Sequence, residues 1–136
     1  MPPESSEIMQ RKLDMLRQFL LDLEQYAALE PREQRRDHYA IERLLQLLCE
    51  SSADIGLQLL RRNGHRLAAS YREVFLTLRE RLDLDEDLAN QLMDACAMRN
   101  VLTHLYDTID LDRVIAAIVP AIRVYTDFAR WAEQQQ

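Results

Sequence analysis

The sequence predicts an all-α fold, an up-and-down helical bundle of about five helices filling one domain over residues 1–136. Three observations predict it. Apolar residues recur at helical spacing along nearly the whole chain; only two Gly and four Pro interrupt it, amid abundant Leu, Ala, Glu, Arg and Gln; and capping or stop residues stand at the ends of the periodic segments. A chain of 136 residues suits one core and is short for two.

The first helix is expected from about Ser5 to Leu29, with Ile8, Leu13 or Leu16, Leu20, Leu23 and Ala27 on one face. Glu30-Pro31 closes it, because the residue before proline disfavours the helical region. The second runs from about Arg32 to Arg62; Ile41, Leu44, Leu45, Leu48, Ile55 and Leu59 form its apolar face, and Asn63-Gly64 is its stop. Ser70 opens the third, with Glu73 three residues later as a capping box, and Leu82 ends it. Asp83 or Asp85 starts the fourth, and Asp107, Thr108 or Asp110 offers the N-cap of a fifth reaching about Trp131. Pro120 removes a hydrogen bond inside that fifth helix and is expected to kink it. Met93 and Met98 read as core filler, and Tyr26, Tyr39, Tyr71 and Tyr125 as core-edge residues.

Charge and cysteine usage narrow the function. A net charge of −6 argues against a general affinity for nucleic acid, so any RNA contact must be local. The basic residues are 16 Arg and the single Lys12. Arg32, Arg35 and Arg36, then Arg61, Arg62, His65 and Arg66, read either as an RNA-binding surface or as solvated helix ends. Cys49 and Cys96 lie in apolar helical segments with no His or Cys at metal-ligand spacing, and are expected as buried, reduced thiols. The N-terminus lacks the pattern of a secretory signal and no segment has the ~20 apolar residues of a membrane span, so a soluble, cytoplasmic protein without membrane association is expected. No Gly-rich phosphate loop and no ligand set is present, so neither metal nor cofactor is expected.

The most informative stretch is Arg99-Asn100-Val101-Leu102-Thr103-His104-Leu105-Tyr106. At about 100° per residue, Leu88, Leu92, Ala95, Arg99, Leu102 and Tyr106 fall on one stripe facing a core or partner. A guanidinium placed there needs an acid, a carbonyl or an anionic ligand. Glu42 and Asp54 on the second helix are candidates to pair with or orient Arg99, although as solvated acids they need no special role. His38 and His65 stand at helix ends among Arg residues and read as ordinary.

Arg, four residues, His, one residue, Tyr resembles the motif of the HEPN superfamily, and the trailing Tyr resembles the HepT branch of HepT/minimal-nucleotidyltransferase toxin–antitoxin pairs. The resemblance extends from about Tyr39 to the last helix and includes Tyr39-Ala40-Ile41-Glu42-Arg43-Leu44-Leu45-Gln46, Ala53-Asp54-Ile55-Gly56 and Ser70-Tyr71-Arg72-Glu73-Val74-Phe75. It implies a bacterial toxin that is a metal-independent endoribonuclease, with Arg99 and His104 catalytic. It also implies a cognate nucleotidyltransferase partner that transfers AMP to Tyr106. The alternative is a catalytically silent HEPN binding module that docks a nucleotidyltransferase.

The residue chemistry suits the first reading. His104 can act as acid or base near neutral pH, Arg99 can hold the scissile phosphate and its transition-state charge, and Asn100 can orient the imidazole or donate to phosphate. Cleavage through the ribose 2′-hydroxyl would leave a 2′,3′-cyclic phosphate. One His is too few for two proton transfers, so a homodimer pooling two motifs in one cleft is expected. Wide apolar faces on the first and fourth helices suggest the same.

Overall fold

The computed structural model describes residues 3–66, 68–104 and 111–136, with side chains described for 6–66, 68–98 and 111–136. Among the described residues there are six helices and no strand: α1 (Pro3–Ala27), α2 (Pro31–Arg36), α3 (His38–Arg62), α4 (Tyr71–Leu82), α5 (Glu86–His104) and α6 (Leu111–Gln134).

The sixth helix arises because the expected second one is split. Pro31 starts α2, and Asp37, at φ −98° and ψ 22°, breaks the register before α3. The Asp37 carboxylate accepts from the Arg36 guanidinium at 3.1 Å instead of capping α3, and that hydrogen bond holds it below its ordinary range. Nothing in the apolar periodicity marks a break of one residue. The other ends follow the sequence signals. Ser70 Oγ accepts from the Glu73 amide (3.1 Å) while the Glu73 carboxylate accepts from the Ala69 amide (2.9 Å); Asp85 caps α5 through the Leu88 amide (3.0 Å); and Gly64, at φ 73°, lets the His65 amide return to the Leu60 carbonyl at the end of α3. α6 continues through Pro120.

The core joins Met9, Leu13, Leu16, Leu20 and Leu23 of α1 to the predicted apolar face of α3 and to α4, α5 and α6. Phe75 of α4 meets Phe128 of α6 edge to face at 6.0 Å. Met93 is buried and Met98 packs against the core, as expected of filler. Three residues depart from expectation: Ile8 is exposed because α1 turns Met9 inward, Tyr39 is 75% exposed, stacked beside His38 on the first turn of α3, and Tyr125 is fully buried rather than at the core edge.

α6 runs in the same direction as α3. Arg35, just before α3, pairs with Asp112 in the first turn of α6, and Arg62 at the end of α3 donates to Gln136 at 3.4 Å. α5 runs the opposite way. Cys96 is bonded to Cys49 in the middle of α3, and only six residues separate α5 from α6. A link of that length spans at most roughly 25 Å, so α5 must end where α3 and α6 begin.

Candidate functional site

The disulfide between Cys49 and Cys96 corrects the expectation of reduced thiols, since no cysteine is free. The two lie 47 residues apart on different helices, so sequence spacing gives no sign of the pairing. Their Cα atoms are 5.4 Å apart. That close crossing sets the level of α5 against α3. Arg99 follows Cys96 by three residues and His104 by eight, about 4.5 and 12 Å along the axis.

Glu42 precedes Cys49 by seven residues. Two turns of helix return it to within about 20° of the line of Cys49, some 10 Å along α3. It therefore stands on the face of α3 turned towards α5, at a level between Arg99 and His104. Glu42 is buried, and its carboxylate accepts from His38 Nδ1 at 2.5 Å. His38, read from sequence as an ordinary helix-end residue, is thus the partner of a buried acid. The spacing of four that joins them was visible in the sequence; the burial was not.

Asp54 has a different setting. It pairs with Lys12 of α1 and is half exposed, on the side of α3 away from Cys49. Arg35 and Arg36 also pair with carboxylates, of Asp112 and Asp37, at the surface.

The buried face of α5 is Ala89, Leu92, Met93 and Cys96. It lies roughly a quarter turn from the predicted stripe, because the small Ala89 and Cys96 admit α3 closely while Leu88 and Ala95 are only partly buried on the flank. Arg99 and Asn100 follow Cys96 on α5 by three and four residues. The side chains of Arg99, Asn100 and His104, and all of Tyr106, lie outside the described residues. Along the flank a cavity of about 280 Å³ opens between α5 and α6, lined by Ala95, Met98, Ala117, Pro120, Asp94 and Arg123 among others. Tyr125 reaches it from α6, and its hydroxyl sits 3.8 Å from Cys96 Sγ. A disulfide sulfur carries no proton, so the phenol donates; burial raises the phenol above its ordinary range.

No three His, Cys, Asp or Glu side chains among the described residues form a cluster that could hold a metal ion. No described helix is long and apolar enough to cross a membrane.

Residues 9–131 match the family described as ribonuclease HepT-like. The chain belongs to that family. It is 33% identical over 125 residues to a tRNA nuclease HepT of Aphanizomenon flos-aquae (strain 2012/KM1/D3), covering 91% of this chain and 82% of the relative. Among solved structures it is similar to the tri-AMPylated HEPN toxin of Shewanella oneidensis in complex with MNT antitoxin, with a TM-score of 0.83 at 19% identity over 98% of this chain and 99% of the other. A mutant toxin–antitoxin complex named MntA-HpeT gives the same TM-score at 19% identity, over 94% and 98% of the two chains. At these identities the structures establish the shared HepT-like fold.

Proposed function

We propose that this HepT-like protein is the toxin of a toxin–antitoxin pair and acts as a metal-independent endoribonuclease with Arg99 and His104 as its catalytic residues. The observation that carries the reading is the placement of Arg99-x4-His104 on the last turns of α5, level with the buried Glu42, in a chain matching a ribonuclease family over residues 9–131. His104 takes the proton of a ribose 2′-hydroxyl, which attacks the adjacent phosphorus. The 5′-oxygen leaves with a proton, and the upstream fragment ends in a 2′,3′-cyclic phosphate. Arg99 holds the phosphate and the charge that develops on it. Asn100 and Glu42 orient these two groups, and Asp54 braces α1 against α3 through Lys12.

A single imidazole serves one proton transfer at a time, so the second is assigned to the His104 of a second copy in a homodimer. The relative's description as a tRNA nuclease favours tRNA as substrate. A nucleotidyltransferase partner is favoured by the MNT antitoxin held by the Shewanella toxin. The cytoplasm, where tRNA and such a partner meet it, is the assigned compartment.

The test is cleavage of total tRNA by purified protein in chelator, with end-group analysis of the fragments. Wild type is expected to give cyclic-phosphate ends, and Arg99→Ala and His104→Ala to give none while keeping the helical spectrum of the wild type. Cleavage at wild-type rate by either variant would overturn the assignment of that residue, and absence of cleavage by wild type would leave docking of a nucleotidyltransferase as the function.

A further inference from the structure

The disulfide lies three residues before Arg99, and its Cys96 half, 6% exposed, borders an open cleft. Cys96, with Met93 and Ala97 of α5, lines an open cleft of about 540 Å³ against Leu57 and the segment Ala68–Arg72 with Val74. Cys49 is 1% exposed and lines none of the cavities described above. Arg72 stands in the same cleft and supplies positive charge where a thiolate would approach.

We propose that the Cys49–Cys96 disulfide is a redox clasp on the helix that carries Arg99 and His104, opened by a small thiol that enters the α4–α5 cleft and attacks Cys96. The thiolate of the small molecule bonds to Cys96 Sγ, the Cys49–Cys96 bond breaks, and Cys49 leaves as a thiolate that takes a proton from water. A second thiolate attacks the mixed disulfide at the sulfur of the small molecule, and Cys96 leaves as a thiolate facing the Tyr125 hydroxyl. Two small thiols are thereby oxidised to one disulfide, and two protein cysteines are reduced. With the clasp open, α5 keeps only its noncovalent packing on α3. The last turns, beyond Cys96, are expected to loosen first. The inference rests on sulfur geometry and stands or falls apart from the ribonuclease reading.

The experiment uses the full-length protein purified without reductant. Intact-mass analysis after alkylation in denaturant is expected to show both cysteines protected; two alkylated cysteines would overturn the proposal. A short pulse of reduced glutathione, quenched by acid and mapped by peptide, is expected to place glutathione on Cys96, and adduct on Cys49 would overturn the order of attack. With Ellman's reagent, Cys96 in the Cys49→Ala variant should react at least tenfold faster than Cys49 in the Cys96→Ala variant, and adding Arg72→Gln to the former should slow it severalfold. Equal rates, or none changed by Arg72→Gln, would remove the cleft from the mechanism. Hydrogen exchange, read on wild type and so independent of any variant's folding, should rise severalfold in the peptide covering 97–104 after reduction and stay unchanged in α1. Unchanged exchange at 97–104 would show that the disulfide does not clasp the helix end.

Discussion

His38 Nδ1 lies 2.5 Å from the Glu42 carboxylate across one turn at the start of α3, and both side chains are largely withdrawn from solvent. A carboxylate taken from water without a donor is costly, so the pair holds Glu42 in place at the level of the Arg99–His104 segment. A carboxylate has a second oxygen, and that of Glu42 can accept a further hydrogen bond.

The first prediction follows from that oxygen and rests on the proposed function. If Glu42 orients Arg99, Glu42→Gln forfeits a charge-assisted hydrogen bond of about 1.5–3 kcal/mol, which corresponds to roughly 10–100-fold in rate. Cleavage is expected to fall by that factor with the helical spectrum retained. His38→Ala should instead lower stability by about 1–3 kcal/mol, because it strands a buried acceptor. Urea midpoints and cleavage rates of the two variants separate the effects; an active Glu42→Gln protein would confine Glu42 to bracing α3.

Gly56 offers a purely structural test. A Cβ built there would come within 2.7 Å of Val74 Cγ1 and 2.9 Å of Leu78 Cδ1, both on α4. The Leu78 methyl ends a flexible side chain, but Val74 is branched at Cβ and buried, with little room to turn. Overpacking of about 1–3 kcal/mol outweighs the helix-propensity gain of up to about 1 kcal/mol. Gly56→Ala is therefore expected to be less stable by about 1 kcal/mol, a fall in Tm of roughly 3–4 °C. A Tm unchanged or raised would mean that α4 slides to admit the methyl.

Much of this architecture was legible in the chain. The helix class and the capping residues Ser70, Asp85 and Gly64 stood where local chemistry alone decides, so sequence spacing located them. What failed depends on a second helix. The quarter-turn rotation of the α5 face reflects how closely α3 approaches Cys96, and Asp37 breaks a helix that periodicity would continue. Arg99 and His104 are proposed through a motif rather than through burial, and their side chains lie outside the described residues. The disulfide and the burial of the His38–Glu42 pair were not legible, because partners 47 residues apart and a buried face on α3 are tertiary facts.

Tyr125 gives a pH prediction. Burial holds its phenol neutral and raises its pKa above the ordinary value of about 10. A group whose folded pKa is raised contributes stability that is fully present below the unfolded pKa and is lost as pH rises towards the folded one. The loss begins near pH 10 and can reach about 1.4 kcal/mol per pH unit. Tyr125→Phe removes that titration, so the stability difference between wild type and variant should be constant from pH 7 to 9 and shift in favour of the variant by pH 11. Urea midpoints at pH 8 and pH 11 read it. A difference that did not change with pH would mean that Tyr125 is hydrated in the folded protein.

The last prediction concerns Tyr106, two residues beyond His104 and outside the described residues. The Shewanella toxin of the same fold is described as tri-AMPylated in complex with its MNT antitoxin. The HepT-like pattern of this chain offers Tyr106 as the acceptor of such a transfer. Each adenylate joined through its phosphate to the phenol oxygen would set bulk and negative charge seven residues along the chain from Arg99. That phosphate competes with the RNA backbone for the guanidinium and repels an incoming polyanion. Co-expression with a nucleotidyltransferase partner and supply of ATP should add AMP-sized mass to the peptide containing Tyr106 and suppress tRNA cleavage. Tyr106→Phe should carry no added mass and keep its activity in the presence of the partner, because the ring remains and only the acceptor oxygen is gone. Suppression of the Phe variant to the same degree, with no added mass, would assign neutralisation to the complex itself rather than to modification.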